Sequence, residues 1–372
     1  MISNHDPKRL MTKIAPVNFD PDAKGPTWTA HLERFLPNEN IRRQVQRDLG
    51  IALVGTTIEE MLPIWYGTGA NGKTTTAKVI RRVLGDYVGE AAPNLLIQTK
   101  FERHPTEIAD LASRRIVFSS EVGQGKRLDE ELVKRLTGGD IKKGRYMRQD
   151  FFEFEQTFTI FMIVNHHPMI TGTDHAIWRR VRLIPWTVQI PEEEQLPQET
   201  IIERLVAEGS AILNWLLAGL ADWKQDRKWM APEVKAATAE YKAEQDRLGS
   251  FLADCCEQAP HYTVPAGELY EVYEKWCKEA GEEALGKTAF GKRLKEQGKA
   301  SKKAGHENIT FWFGLRLKRS PITNNNDLRT DANRSVCSPI EEGLSREEQE
   351  NGFATVRKDE NELKDDEGIP IF

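Results

Sequence analysis

Between a short apolar run and an amphipathic segment the chain reads Gly67-Thr68-Gly69-Ala70-Asn71-Gly72-Lys73-Thr74, a match to G-x-x-x-x-G-K-[ST]. That spacing serves the binding of a triphosphate. Glycines let backbone N–H groups converge on phosphate oxygens, and a helix beginning at the lysine adds the positive end of its dipole. Lys73 is placed to reach the outer phosphates and the Thr74 hydroxyl to hold Mg2+, with Gly67 to Thr75 as the contact segment. Hydrolysis also needs a carboxylate on a neighbouring strand. Glu121, after the run Ile116-Val117-Phe118-Ser119-Ser120, is the best-placed acid to hold Mg2+ or polarise water; an exposed glutamate after a strand is the plainer alternative.

Asn165 ends the apolar run 158–165, where an amide is costly unless it finds partners, and it reads as a group that orients water near the terminal phosphate. Arg179, Arg180 and Arg182 offer a guanidinium for the γ phosphate of a neighbouring subunit, and equally a solvated basic patch. His166 and His167 are adjacent on an extended segment and face opposite sides, which argues against a metal site.

These residues need a scaffold that the patterning supplies. "MLPIWYG" followed by "TTTAKVIRRVLGDY" is strand, loop and helix, with Val79, Ile80, Val83 and Leu84 inward. The runs 114–122, 158–165 and 179–186 have the length and β-branched content of buried parallel strands. Between the first two, "DIKKGRYMRQDFFEFE" alternates around a charged centre and predicts a projecting β-hairpin. Ahead of the loop, Trp28, Leu32, Phe35, Ile41, Val45 and Leu49 fall at helical spacing, with Gly50 as the stop.

Residues 200–248 read as helical throughout. Three helical segments follow in "GSFLADCCEQA", "AGELYEVYEKWCKEAG" and "GKTAFGKRLKEQG", then a two-stranded wing to residue 317, the make-up of a winged helix. Lys287, Lys292, Arg293, Lys295, Lys299, Lys302 and Lys303 face a single acid, Glu296, in 287–303, which suggests DNA phosphate contacts, with protein docking as the other use of such a domain. The expected organisation is 1–50 helical, 51–225 the ATPase core, 226–318 linker helices and winged helix, and 319–372 a disordered acidic tail.

With 39% hydrophobic and 29% charged residues over 372, and no apolar run long enough for a span, a soluble cytoplasmic protein with no membrane partner is expected. The four cysteines show no metal spacing. The net charge of −5 conceals an asymmetry: 341–372 carries 11 acids against 4 bases, so the rest is slightly basic.

Taken together, "GTGANGKTT", "RRIVFSSEV", "LVKRLTGGDIKKGRYMRQDFFEF", "FMIVNHHPMITGTDHAIWRRVRLIPW" and the lead-in "FDPDAKGPTWTAHLERFL" resemble the superfamily 3 helicases, specifically the helicase part of phage and plasmid primase-helicases with poxvirus-type relatives. The likeness spans about residues 10–317. It implies an AAA+-type P-loop α/β core that hydrolyses ATP with Mg2+ as a ring, expected hexameric, around single-stranded and forked DNA. Lys73 and Thr74 then take the Walker A roles, Glu121 the Walker B acid, Asn165 the sensor, and Arg180, with Arg179 second, the arginine finger. The segment after "LTGGD" matches the DNA-tracking hairpin and carries Lys142, Lys143, Arg145 and Arg148 with Tyr146 interleaved, cations for phosphates and an aromatic for stacking. In the winged helix the corresponding contacts are Lys292, Arg293 and Lys295.

Two departures accompany the resemblance. Ser120 stands where many relatives have a second acid, so metal holding and water polarisation are not apportioned. The chain also starts almost at the helicase lead-in, so separate primase or replication proteins are expected as partners, and the resemblance implies a bacterial host with a phage, prophage or plasmid origin. The end "KDDEGIPIF", closing on Phe372, is similar to the acidic tip of bacterial single-strand-binding proteins and would recruit readers of that tip, or only solubilise. A regulator or origin-recognition protein switched by ATP without unwinding, and a small-molecule kinase, are the competing functions.

Overall fold

A computed structural model describes Lys8 and residues 12–101, 103–120, 123, 125–172, 175–281, 284–304 and 309–318. It divides into two compact units between Gln245 and Asp246.

The first unit is built on a parallel sheet in the order β2-β3-β6-β1-β7, with β1 at Leu62–Tyr66, β2 at Val88–Glu90, β3 at Ile116–Ser120, β6 at Thr159–Val164 and β7 at Val181–Pro185. Both faces are covered, so the strands are almost continuously apolar. Alternate residues serve opposite cores: Trp65, Phe118, Phe161 and Ile184 enter one cluster, Ile64, Val117, Met162 and Leu183 the other.

α1 (Pro26–Phe35) and α2 (Glu39–Ala52) precede β1, and the Asn38 side chain caps α2 by accepting from Ile41 N. Gly50 does not stop α2. It lies inside the helix, where a Cβ would come within 2.4 Å of Leu220 N, and a Cβ on Gly219 would come within 2.1 Å of Gln46 O. Two glycines thus let α2 and α8 (Gly209–Gln225) pack backbone to backbone. α3 (Lys73–Leu84) buries Val79, Ile80, Val83 and Leu84.

α4 (Thr106–Ala109) leads to β3, α5 (Glu130–Thr137) to the hairpin of β4 (Lys142–Gly144) and β5 (Phe152–Phe154), and α6 (His175–Trp178) to β7. Beyond β7, α7 (Gln198–Val206), α8 and α9 (Pro232–Gln245) follow, so the stretch read as helical throughout is broken, most widely over 226–231. Among the described residues no single helix is long and apolar enough to cross a membrane.

The second unit holds α10 (Arg247–Cys255), β8 (Cys256–Pro265), α11 (Ala266–Glu279), α12 (Lys287–Glu296), β9 (Ser301–Ala304) and β10 (Ile309–Leu317). Its antiparallel sheet has three strands, β8-β10-β9, rather than two. The segment expected to stay helical through Ala259 turns into strand at Cys256, where pairing with Leu317 outweighs local helical spacing. Phe251, Tyr273, Phe290 and Trp312 share the core of this unit. The tail 319–372, including Asp365, Asp366, Glu367 and Phe372, lies outside the described residues.

Candidate nucleotide site and nucleic-acid interface

The glycine loop leaves the C-terminal end of β1, with Gly67 N donating to Val164 O of β6 at 3.3 Å, and its glycines are required by geometry. Gly72 has φ +77° and sits under the Phe35 ring, and a Cβ on Gly67 would be 2.2 Å from both Asn71 Nδ2 and Trp186 O. Asn71 is buried and ties the loop together, donating to Trp186 O at 3.1 Å and accepting from Lys73 Nζ at 2.9 Å. Lys73 Nζ also donates to Gly67 O at 2.6 Å. Burial lowers the Lys73 amine to about 8.

The segment after β7 straps the loop from outside. Gln189 Nε2 donates to Thr68 Oγ1 at 2.8 Å, Ile190 N to Ala70 O at 2.9 Å, and Gln198 Nε2 to Thr75 Oγ1 at 3.1 Å. Thr75 is therefore turned inward while Thr74 is exposed at the first turn of α3, open to a metal–phosphate group. From below, His31 of α1 meets Thr76 Oγ1 at 2.9 Å, and burial, with Arg34 assisting, lowers the imidazole to about 4. Sequence spacing gave no signal for Phe35, His31 or Gln189 as loop supports, because each is far from the loop along the chain.

Asn165 is exposed one residue beyond β6, the strand hydrogen-bonded to β1, so sheet order brings it beside the glycine loop. β3 lies one strand further out, and Glu121, which follows it, is outside the described residues. His166 is exposed; His167 is half-buried between Tyr66 and Tyr241, at ring-centroid distances of 4.0 and 4.6 Å.

The adjacent arginines part company. Arg180, expected as the finger, is buried and bonded within its own chain to Thr137 Oγ1 at 2.9 Å, Ala176 O at 2.6 Å and Glu60 at 2.7 Å. A side chain so held is not presented to a neighbour. Arg179 has its side chain 52% exposed and pairs with the same Glu60 at 2.5 Å. Arg182 is buried with Asp48 and Glu59.

The hairpin pairs Lys142 with Phe154 and Gly144 with Phe152. Lys142, expected to meet DNA, is buried with Nζ on Asp140 O at 2.7 Å, and burial lowers its amine. Lys143 and Arg148 are exposed and Arg145 partly so; Arg148 occupies a left-handed turn at φ +61°. Tyr146 is anchored, its hydroxyl donating to Ala109 O at 3.2 Å and its ring stacked on Phe152. The freer aromatic is Phe151, 49% exposed and flanked by Arg145 at 4.7 Å and Lys143 at 5.5 Å from its ring centroid. Its place in the run "DFFEFE" hid it, since alternation alone does not tell which phenylalanine faces out.

In the second unit Lys287, Lys292 and Lys295 border a groove of about 490 Å³ floored by Tyr270, Phe290 and Trp312. Arg293 is half-buried, and Phe290 and Leu294 turn α12 inward.

The model of the family described as poxvirus D5 protein-like matches residues 243–332. The chain is similar to "Putative helicase 022R" of frog virus 3 (isolate Goorha), with 26% identity over 68% of this chain and 28% of that protein. It is also similar to "Putative primase C962R" of African swine fever virus (isolate Warthog), with 22% identity over 73% of this chain and 30% of that protein. The chain thus spans less than a third of the length of these relatives. The apo structure of the NrS-1 C-terminal region superposes with a TM-score of 0.50 at 14% identity, covering 81% of this chain and 78% of that one, a likeness of fold alone. The matched relatives belong to large DNA viruses of eukaryotes and lend no support to the bacterial host expected from the resemblance.

Proposed function

We propose that this chain, a relative of the superfamily 3 helicase type, is an ATP-dependent DNA helicase of viral-type genome replication that moves along DNA as a ring of identical subunits. The observation that carries the reading is the glycine loop at the C-terminal edge of a parallel sheet, with Asn165 just past the end of the next strand and a cation-rich hairpin in the same unit. Backbone N–H groups of 67–75 and Lys73 would hold ATP, and Thr74 with Glu121 would hold Mg2+, whose charge would offset that of the transferring phosphate. Asn165 orients the attacking water, and Arg179, the exposed arginine of the pair, serves the neighbouring subunit's nucleotide. Lys143, Arg145 and Arg148 meet phosphates while Phe151 stacks on a base. The second unit, read as a winged helix, adds phosphate contacts from Lys292, Arg293 and Lys295.

Strand displacement on forked DNA tests the proposal. The wild-type chain should unwind with ATP and Mg2+ and hydrolyse faster with DNA present, whereas Lys73→Ala should do neither. DNA binding gated by ATP without unwinding would establish the switch reading instead; hydrolysis indifferent to DNA, with neither unwinding nor ATP-gated DNA binding, would remove both.

A further inference from the structure

The segment 165–172, which begins at Asn165, is gripped at its far end by one side chain. Glu130 Oε1 accepts from Thr171 N at 2.9 Å, Thr171 Oγ1 at 3.2 Å and Gly172 N at 2.7 Å. The fit is close, since a Cβ on Gly172 would lie 2.0 Å from Glu130 Oε2. Midway, Met169 N donates to Lys126 O at 2.7 Å and Leu128 N to Met169 O at 2.9 Å, so the segment also pairs with the approach to α5.

Glu130 is the first residue of α5, and the other end of that helix is fastened to the hairpin. Gln156, just past β5, donates to Leu136 O at 2.7 Å. Arg180 Nε donates to Thr137 Oγ1 at 2.9 Å, and only 138–141 separate α5 from β4. An eight-residue helix is about 12 Å of stiff rod. One end is clasped to the loop that starts beside the nucleotide site, the other to the base of the cationic hairpin.

We propose that Glu130 is the positioning residue that couples nucleotide state to the DNA hairpin, through α5. A shift of 165–172 when Asn165 engages the terminal phosphate is passed by the clasp to α5 and from there to β4 and β5. Nucleotide and DNA then bias one element, the physical requirement for coupling between separate sites. This inference rests on the proposed ATPase and hairpin roles.

The test is the factor by which single-stranded DNA stimulates ATP hydrolysis, read alongside the separate dissociation constants for a fluorescent ATP analogue and for oligo(dT). Glu130→Ala should lower stimulation by at least about fivefold while each dissociation constant stays within about twofold, the pattern of lost coupling rather than lost sites. Glu130→Gln, whose amide oxygen can accept both backbone N–H bonds, should recover most of the stimulation. Gly172→Ala, which displaces the Glu130 carboxylate, should reproduce the loss, and adding Glu130→Ala to it should bring no further loss. Normal stimulation in Glu130→Ala, or a parallel collapse of ATP binding, overturns the assignment. A wild-type chain without DNA stimulation overturns the proposed function itself and the coupling with it.

Discussion

Replacing Gly72 by alanine tests how the preface helix α1 shapes the nucleotide loop. At φ +77° an alanine is strained by about 1–2 kcal/mol relative to glycine. Its methyl would also fall 2.6, 2.7 and 3.0 Å from three atoms of the Phe35 ring, which is only 5% exposed and has little room to retreat. Overpacking of this kind costs about 1–3 kcal/mol, so the substitution should lower stability by about 2–5 kcal/mol in total. Phe35→Ala alone should cost about 3–5 kcal/mol for the emptied aromatic site. The two losses should not add. With the ring gone only backbone strain remains, and Phe35→Ala/Gly72→Ala should be about 1–2 kcal/mol less stable than Phe35→Ala. Urea denaturation of the full chain gives the four stabilities, and binding of a fluorescent ATP analogue shows whether the loop recovers its grip. Additivity within about 0.5 kcal/mol would mean that Phe35 does not seat against Gly72, and would refute the close packing of α1 on the loop.

Two further outcomes follow from the site. Phe151→Ala should weaken binding to oligo(dT) by the about 1–3 kcal/mol that one stacked base contributes, roughly fivefold to a hundredfold, with ATP binding unchanged; an unaltered DNA affinity would return Phe151 to a bystander on an exposed hairpin. Because burial lowers the free Lys73 amine to about 8, ATP affinity should be flat at neutral pH and fall above pH 8 by up to about tenfold per unit, since the bound phosphates require the ammonium and binding then takes up a proton; constant affinity up to pH 9.5 would refute that account.

The sheet and its loop were legible because their signals are local. Continuous apolar runs mark strands covered on both faces, and the glycine-lysine spacing fixes where β1 ends and α3 begins. The hairpin, too, showed in its alternation. What the sequence could not show was the direction in which neighbouring residues are spent. Lys142 and Lys143 look alike in the chain, yet strand alternation buries the first on Asp140 O and exposes the second. Gly50 has the composition of a helix stop, but its role depends on Gly219, brought opposite it only by tertiary packing. The shift from helix to strand at Cys256 likewise depends on pairing with a strand some sixty residues later.

The division between Arg179 and Arg180 has a physical reason that bears on how a ring of such subunits could work. Both guanidinium groups reach Glu60, but only Arg180 is buried, and it has further partners in Thr137 and Ala176. Withdrawing Arg180 toward a neighbour would break its pair with Glu60 and also its bonds to Thr137, in the last turn of α5, and to Ala176 O; a buried polar group left without its partner costs about 1–3 kcal/mol. Withdrawing Arg179 breaks an exposed pair of roughly 0–1 kcal/mol, and Glu60 keeps Arg180. A finger that must reach a phosphate in one state and retreat in another is best made from the side chain whose departure leaves no buried group without its partner. The same bonds keep Arg180 with the last turn of α5, on the link proposed between the nucleotide loop and the hairpin.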